Sequence, residues 1–168
     1  MFKVGKPLRR VARKVMDNAL PIKQGEVAVF YAGTENLDMA YAFAGECEAR
    51  GVETLVQSCG DYVDQVRILQ APLESFERAP AIREALVEVA DWFIYLTGTV
   101  FDDSIYQKPE YKGRVLRVRQ VSKSSFDSLL QLCLAKKTHL VAFLDPNLHQ
   151  ARALRKTYSG TRKLFLKS

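Results

Sequence analysis

Three short stretches combine glycine with a hydroxyl side chain: Gly33-Thr34, Ser58-Cys59-Gly60-Asp61 and Thr97-Gly98-Thr99. Each follows an apolar run that reads as a buried strand. Open parallel sheets bind ligands beyond the carboxyl ends of their strands. Gly33, Thr34, Ser58, Gly60, Thr97, Gly98 and Thr99 are therefore the candidate ligand-binding residues. Backbone amides at the start of a helix after Thr34 could hold an anion. The same residues also suit turns and helix caps, which need no ligand. The fingerprint G-x-G-x-x-G is missing after the first strand, and G-x-x-x-x-G-K-[ST] occurs nowhere, so nucleotide binding has no motif behind it.

Other chemistry is thinly supplied. His139 and His149 stand ten residues apart, which matches neither a zincin helix nor a zinc finger. Cys47, Cys59 and Cys133 are scattered and odd in number, which suits a reducing cytoplasm rather than a disulfide framework. No histidine lies near a cysteine in the sequence, so a thiol nucleophile is unsupported and a buried apolar cysteine is the ordinary reading. Asp102-Asp103 could meet a cation, but a solvated loop is the favoured reading. No catalytic residue and no metal ligand is assigned.

The elements that must position these residues follow from periodicity. Leu8, Val11, Ala12, Val15, Met16 and Ala19 form one apolar stripe of a helix that Pro7 opens and Pro21 ends. Glu26–Ala32 reads as a strand. A helix over Glu35–Arg50, capped by Thr34 and stopped by Gly51, leads to a second strand at Val52–Ser58. This is a strand, helix, strand unit, with parallel strands and a right-handed crossover. Asp61–Gln70 reads as a short helix. Pro80–Ala90 reads as a helix with Ile82, Ala85, Leu86 and Val89 on one face, and Asp91–Thr97 as a third strand. Gly98–Lys112 reads as a loop, Arg114–Val118 as a fourth strand, and Ser124–Ala135 as a helix with Phe126, Leu129, Leu130, Cys133 and Leu134 inward. His139–Leu144 fits either strand or helix. Leu148–Tyr158 fits a helix and Lys163–Leu166 a strand. The expected architecture is one α/β domain over residues 1–168: a three-layer, Rossmann-like, mainly parallel sheet with flanking helices.

Charge is unevenly spread. Residues 1–23 carry seven Lys/Arg and one acid, residues 24–111 five and 16, and residues 112–168 thirteen and two. The leading expectation is that basic ends neutralise an acidic middle within one fold, with a docking surface second. Nucleic acid is the least favoured partner, because no recognisable nucleic-acid-binding motif accompanies the charge. No apolar run reaches the length of a transmembrane helix, and the basic start lacks the apolar core of a signal peptide. A cytoplasmic location without membrane contact is expected.

One composite pattern reaches further. Asn18-Ala19-Leu20 is followed by Ile22-Lys23-Gln24-Gly25-Glu26 and a strand. The next helix carries Ala40, Ala42 and Ala44 and leads to Ala49-Arg50-Gly51-Val52-Glu53. Later come Ala90-Asp91-Trp92-Phe93-Ile94 and Gly98. This resembles the N-terminal domain of the aminopeptidase T/aminopeptidase S family of metallopeptidases, with its "K-x-G-E" turn, Ala-rich helix and "A-D-x-x-I" strand. The resemblance covers residues 8–98 and, more loosely, 124–168. It implies a domain that packs on a metal-bearing catalytic domain and helps enclose substrate. The family's metal ligands lie in that other domain, so none is carried onto this chain. The implied partner is the catalytic domain or a homo-oligomer partner, and the implied cofactors, divalent metals, belong outside this chain. The alternative is a stand-alone small-ligand or anion-binding module.

Overall fold

The computed structural model describes residues 4–59, 61–77, 81–97 and 108–144. Helix α1 (Lys6–Asn18) precedes strand β1 (Val27–Gly33). A single 3-10 turn at Thr34–Asn36 leads into α2 (Leu37–Glu48) and then β2 (Glu53–Cys59). Helix α3 (Asp61–Gln70), a 3-10 turn at Leu73–Phe76 and α4 (Ala81–Val89) come before β3 (Trp92–Thr97). The long helix α5 (Pro109–Lys136) precedes β4 (His139–Leu144). The strands form one sheet in the order β2-β1-β3-β4, and every pairing is parallel. The α/β three-layer expectation holds.

Alternation along the strands splits the core in two, because successive side chains point to opposite faces. Ala28, Phe30 and Ala32 of β1 join Trp92, Ile94 and Leu96 of β3 beneath α1 and α2. Val29, Tyr31 and Phe93 face the other way, onto Val87 and onto Leu129 and Cys133 of α5. Strand β1 is buried on both faces, and its five central residues are all apolar or aromatic, as a central strand of a parallel sheet requires. The stripe of α1 is confirmed at Leu8, Ala12 and Met16, which are buried.

Ion pairs join the basic ends to the acidic middle. Arg13 of α1 donates from Nε and Nη2 to both carboxylate oxygens of Glu46 at 3.1 Å, and Glu46 itself is buried on α2. Asp17 accepts from Arg50 at 2.6 Å, and Lys136 of α5 reaches Glu88 of α4 at 2.5 Å. The neutralisation reading of the charge pattern therefore has physical partners.

Several expectations are corrected. Arg114–Val118 is not a strand: it lies inside α5, which runs unbroken through Ser124. Val115 and Val118, three residues apart, are buried while Leu116 is exposed, which is helical spacing. Arg114 donates to the carbonyls of Ile68 and Ala71, satisfying orphan acceptors at the end of α3 as a cation there should. Thr34 does not cap α2, which starts three residues later with no side-chain cap at Asn36. Ile82, Ala85 and Val89 are not the inward face of α4: Val87 is buried, Leu86 is half-buried, and Ile82 and Val89 are exposed. Leu134 of α5 is exposed too. His139–Leu144 is a strand. The expected helix at Leu148–Tyr158 and strand at Lys163–Leu166 lie outside the described residues.

Two consequences can be measured. Lys137 ends α5 at φ 60°, a left-handed conformation costing a non-glycine residue about 1–2 kcal/mol. Lys137→Gly should raise the melting temperature by roughly 2–4 °C, the shift expected for about 1 kcal/mol in a chain of this size. An unchanged or lower melting temperature would refute this. Burial pushes the Cys47 thiol up to about 11 from 9.0. Between those two values the unfolded chain releases a proton that the folded chain keeps. Stability should therefore fall as pH rises from 9 towards 11. Urea unfolding of the native chain should show a steeper loss over that window than Cys47→Ala, and parallel losses would refute the assignment.

Candidate functional site at the carboxyl edge of the sheet

The carboxyl edge is set by register. Ala32 stands beside Ser58 and Leu96, and Gly33 beside Cys59. Thr97, the next residue of β3, lines up with Leu144. Gly33, Thr34, Ser58 and Thr97 thus share one edge of the sheet. Gly60, Gly98 and Thr99, like Asp102-Asp103 and His149, lie outside the described residues.

The chain leaves β1 towards one face of the sheet through α2, and enters β4 from the other face through α5. A crevice between β1 and β3 is the topological switch point of such a sheet, where ligands bind in this architecture. Two features modify the expected anion site after Thr34. The amide of Met39, in the first turn of α2, donates to the Asp38 carboxylate at 2.8 Å, so a native carboxylate already sits at that helix start. The buried Asn36 donates from Nδ2 to the carbonyl of Leu96 at 3.4 Å, tying the start of α2 across the crevice to β3.

The polar groups nearest the edge on the α4 side were not among the sequence candidates. Tyr31 is flanked in register by Gln57 and Tyr95, so the three lie side by side on one face. The Tyr31 and Tyr95 rings stack at 5.2 Å. Arg83 of α4 places its guanidinium 4.6 Å from the centre of the Tyr31 ring and donates to the Tyr31 hydroxyl at 2.7 Å. One row further along β1 stands Gly33, paired with Cys59. The legible signal was the polar tip of each aromatic in otherwise apolar strands, Tyr31 in VFYAG and Tyr95 in FIYLT.

Among the described residues, no three His, Cys, Asp or Glu side chains come together. His139 stacks on Trp92 at 4.2 Å at the opposite, amino edge. Cys47 and Cys133 are buried on opposite faces of the sheet. No helix among the described residues is long and apolar enough to cross a membrane.

The residues that carried the family resemblance have a structural job at the amino edge. The Glu26 carboxylate accepts from the Lys23 amide at 2.7 Å and from the Trp92 indole at 2.9 Å. Asp91 accepts from the Val27 amide at 2.8 Å. Gly25, at φ 85°, donates its amide to the carbonyl of Gly51, at φ 75°, at 2.9 Å. A Cβ on Gly51 would meet Gln24 Cγ at 2.9 Å, so the close approach of these turns requires glycine there.

No protein-family model and no curated protein sequence matches the chain. Among solved structures, it is similar to wild-type AmpT from Thermus thermophilus, with a TM-score of 0.68 and 17% sequence identity. AmpT is an aminopeptidase. The likeness covers 96% of this chain but 42% of AmpT, and at this identity it is a likeness of fold alone.

Proposed function

We propose that this chain is the non-catalytic N-terminal domain of an aminopeptidase-type metallopeptidase, packing on the metal-bearing domain and helping to enclose substrate. One observation carries the reading: nearly the whole chain superposes on part of an aminopeptidase and leaves more than half of that protein unmatched. The amino-edge turn built from Lys23, Gly25, Glu26 and Asp91 supports it from the sequence side. In this reading the divalent metals and the bond-breaking groups belong to the unmatched part, and no catalytic step is assigned to residues described here. The carboxyl edge, with Gly33, Thr34, Ser58 and Thr97, is the surface available to border a substrate.

The purified chain should not hydrolyse leucine p-nitroanilide when supplied with cobalt, zinc or manganese. A denaturing immunoblot of the cells that make it should show a band well above 19.0 kDa. Metal-dependent turnover by the chain alone, or a single band at 19.0 kDa, would overturn the proposal.

A second reading, a small-ligand or anion-binding module, is favoured by Arg83 standing over Tyr31 one row below Gly33. It predicts that some phosphorylated or carboxylate metabolite raises the melting temperature, by ligand linkage. Arg83→Leu should abolish that shift. A screen without any shift removes this reading.

A further inference from the structure

Helix α1 carries five cations, Lys6, Arg9, Arg10, Arg13 and Lys14, and all five are exposed. At about 100° per residue they fall within one arc of about 140° around the helix. Asp17 is the only other residue of α1 in that arc, so every residue in it is charged. Leu8, Ala12 and Met16 lie outside the arc and are buried in the core with residues of α2 and the sheet. The cations therefore ride on a firmly seated helix. Lys6, Arg10 and Lys14 make one row, four residues apart and about 12 Å long. Arg9 and Arg13 make a second row beside it.

Neutralisation within the fold uses little of this charge. Among the described residues, Arg13 alone of the five is in an ion pair, with Glu46, and its side chain stays 67% exposed. The one acid of the arc, Asp17, is bound by Arg50. The arrangement also works against the helix. Like charges three and four residues apart repel, as Lys6 and Arg10, Arg10 and Lys14, and Arg9 and Arg13 do here. Cations are unfavourable at the positive, amino-terminal end of a helix. Yet α1 has no acid in its first turn and no base in its last, and Gly5 supplies no side-chain cap. A polyanion laid along the arc relieves both the mutual repulsion and the opposition to the helix dipole.

The make-up of the arc selects among polyanions. A helix that lies on a bilayer buries its apolar face in lipid, and the apolar face of α1 is already spent on the core. Protein interfaces centre on apolar and aromatic anchors, with charge at the rim, and the arc has no such anchor. Contacts to a phosphate backbone need only cations held in place, and they position a strand without reading its bases. The absence of a sequence-reading motif is no obstacle to binding of that kind.

We propose that the outer face of α1 binds the phosphodiester backbone of nucleic acid independently of its sequence, through Lys6, Arg9, Arg10 and Lys14 with Arg13 beside them. The inference rests on this surface alone and does not depend on the aminopeptidase reading.

Fluorescence anisotropy of the 168-residue chain with a labelled oligothymidylate of about 20 nucleotides, titrated at several salt concentrations, tests it. Binding should be measurable at about 50 mM salt. Its log–log salt dependence should have a slope of about −3, as for four phosphates neutralised on a single strand. Arg10→Glu/Lys14→Glu should weaken binding by roughly tenfold or more and bring the slope to about −1.5. Its melting temperature should hold or rise, because the change removes repulsion within α1. Should that variant fail to fold, Arg10→Gln/Lys14→Gln decides by the same loss of affinity. Lys112→Glu/Lys123→Glu makes the same change of net charge at two exposed positions of α5, and it should leave the affinity within about threefold. No binding by the native chain at low salt overturns the proposal. An equal loss in the α5 variant also overturns it, since overall charge would then be the cause. Displacement of the oligonucleotide by polyglutamate or by phosphatidylserine vesicles at equal charge concentration would assign the face to an acidic protein or to a membrane instead.

Discussion

A parallel sheet has no hairpins to set its register, so something at the strand ends must do so. Here that constraint is met at the amino edge. The Glu26 carboxylate holds the turn before β1 and the indole of Trp92 at the start of β3. Asp91 returns the link to the Val27 amide, while the Asp91 carbonyl accepts the His139 amide at the start of β4 at 2.8 Å. The Gly25 to Gly51 bond brings in β2. Each strand is thereby fixed at its beginning, and the alternation that divides the two core layers follows from that registration. If β1 slipped by one residue, Phe30 and Val29 would exchange faces and both layers would lose their packing.

This division of labour separates architecture from chemistry along the strand axis. The residues that give the chain its family resemblance are those of the amino edge, where they hold backbone. The carboxyl edge, where a ligand would sit, carries Gly33, Thr34, Ser58 and Thr97 with the Tyr31, Tyr95 and Arg83 row beneath. A shared amino-edge pattern therefore speaks for a shared frame. It says little about which molecule, if any, meets the other edge, and the proposed function draws its weight from how much of this chain AmpT matches and how much of AmpT it leaves over.

The strands and the helices between them were legible where one local signal dominated. The glycine-bounded run of β1, the apolar stripe of α1 and the positive-φ Gly51 each need only neighbouring residues to be read. The misreadings arose where tertiary contacts decided. RVLRV has the composition of a strand, but Arg114 is committed to carbonyls of α3, and Val115 and Val118 are buried at helical spacing. The apolar flank of α4 reads as a core face, yet Val87 occupies the core because the helix is rolled to place Arg83 over Tyr31. The site was half legible: position at a strand end marks Gly33, Thr34, Ser58 and Thr97, whereas the Gln57, Tyr31, Tyr95 row exists only once register brings three distant strands together.

The length of α5 has a further consequence. Its 28 residues extend about 42 Å, roughly twice the span of the strands it packs on. Its second half is embedded in the sheet core through Leu129 and Cys133. Its first half reaches past the carboxyl edge and gathers α3 through Arg114. The helix is thus held at both halves, by the sheet core at one and by α3 and the buried Val115 and Val118 at the other. Arg114 in that half holds α3 by its terminal carbonyls, so the place of α3 is set by this helix.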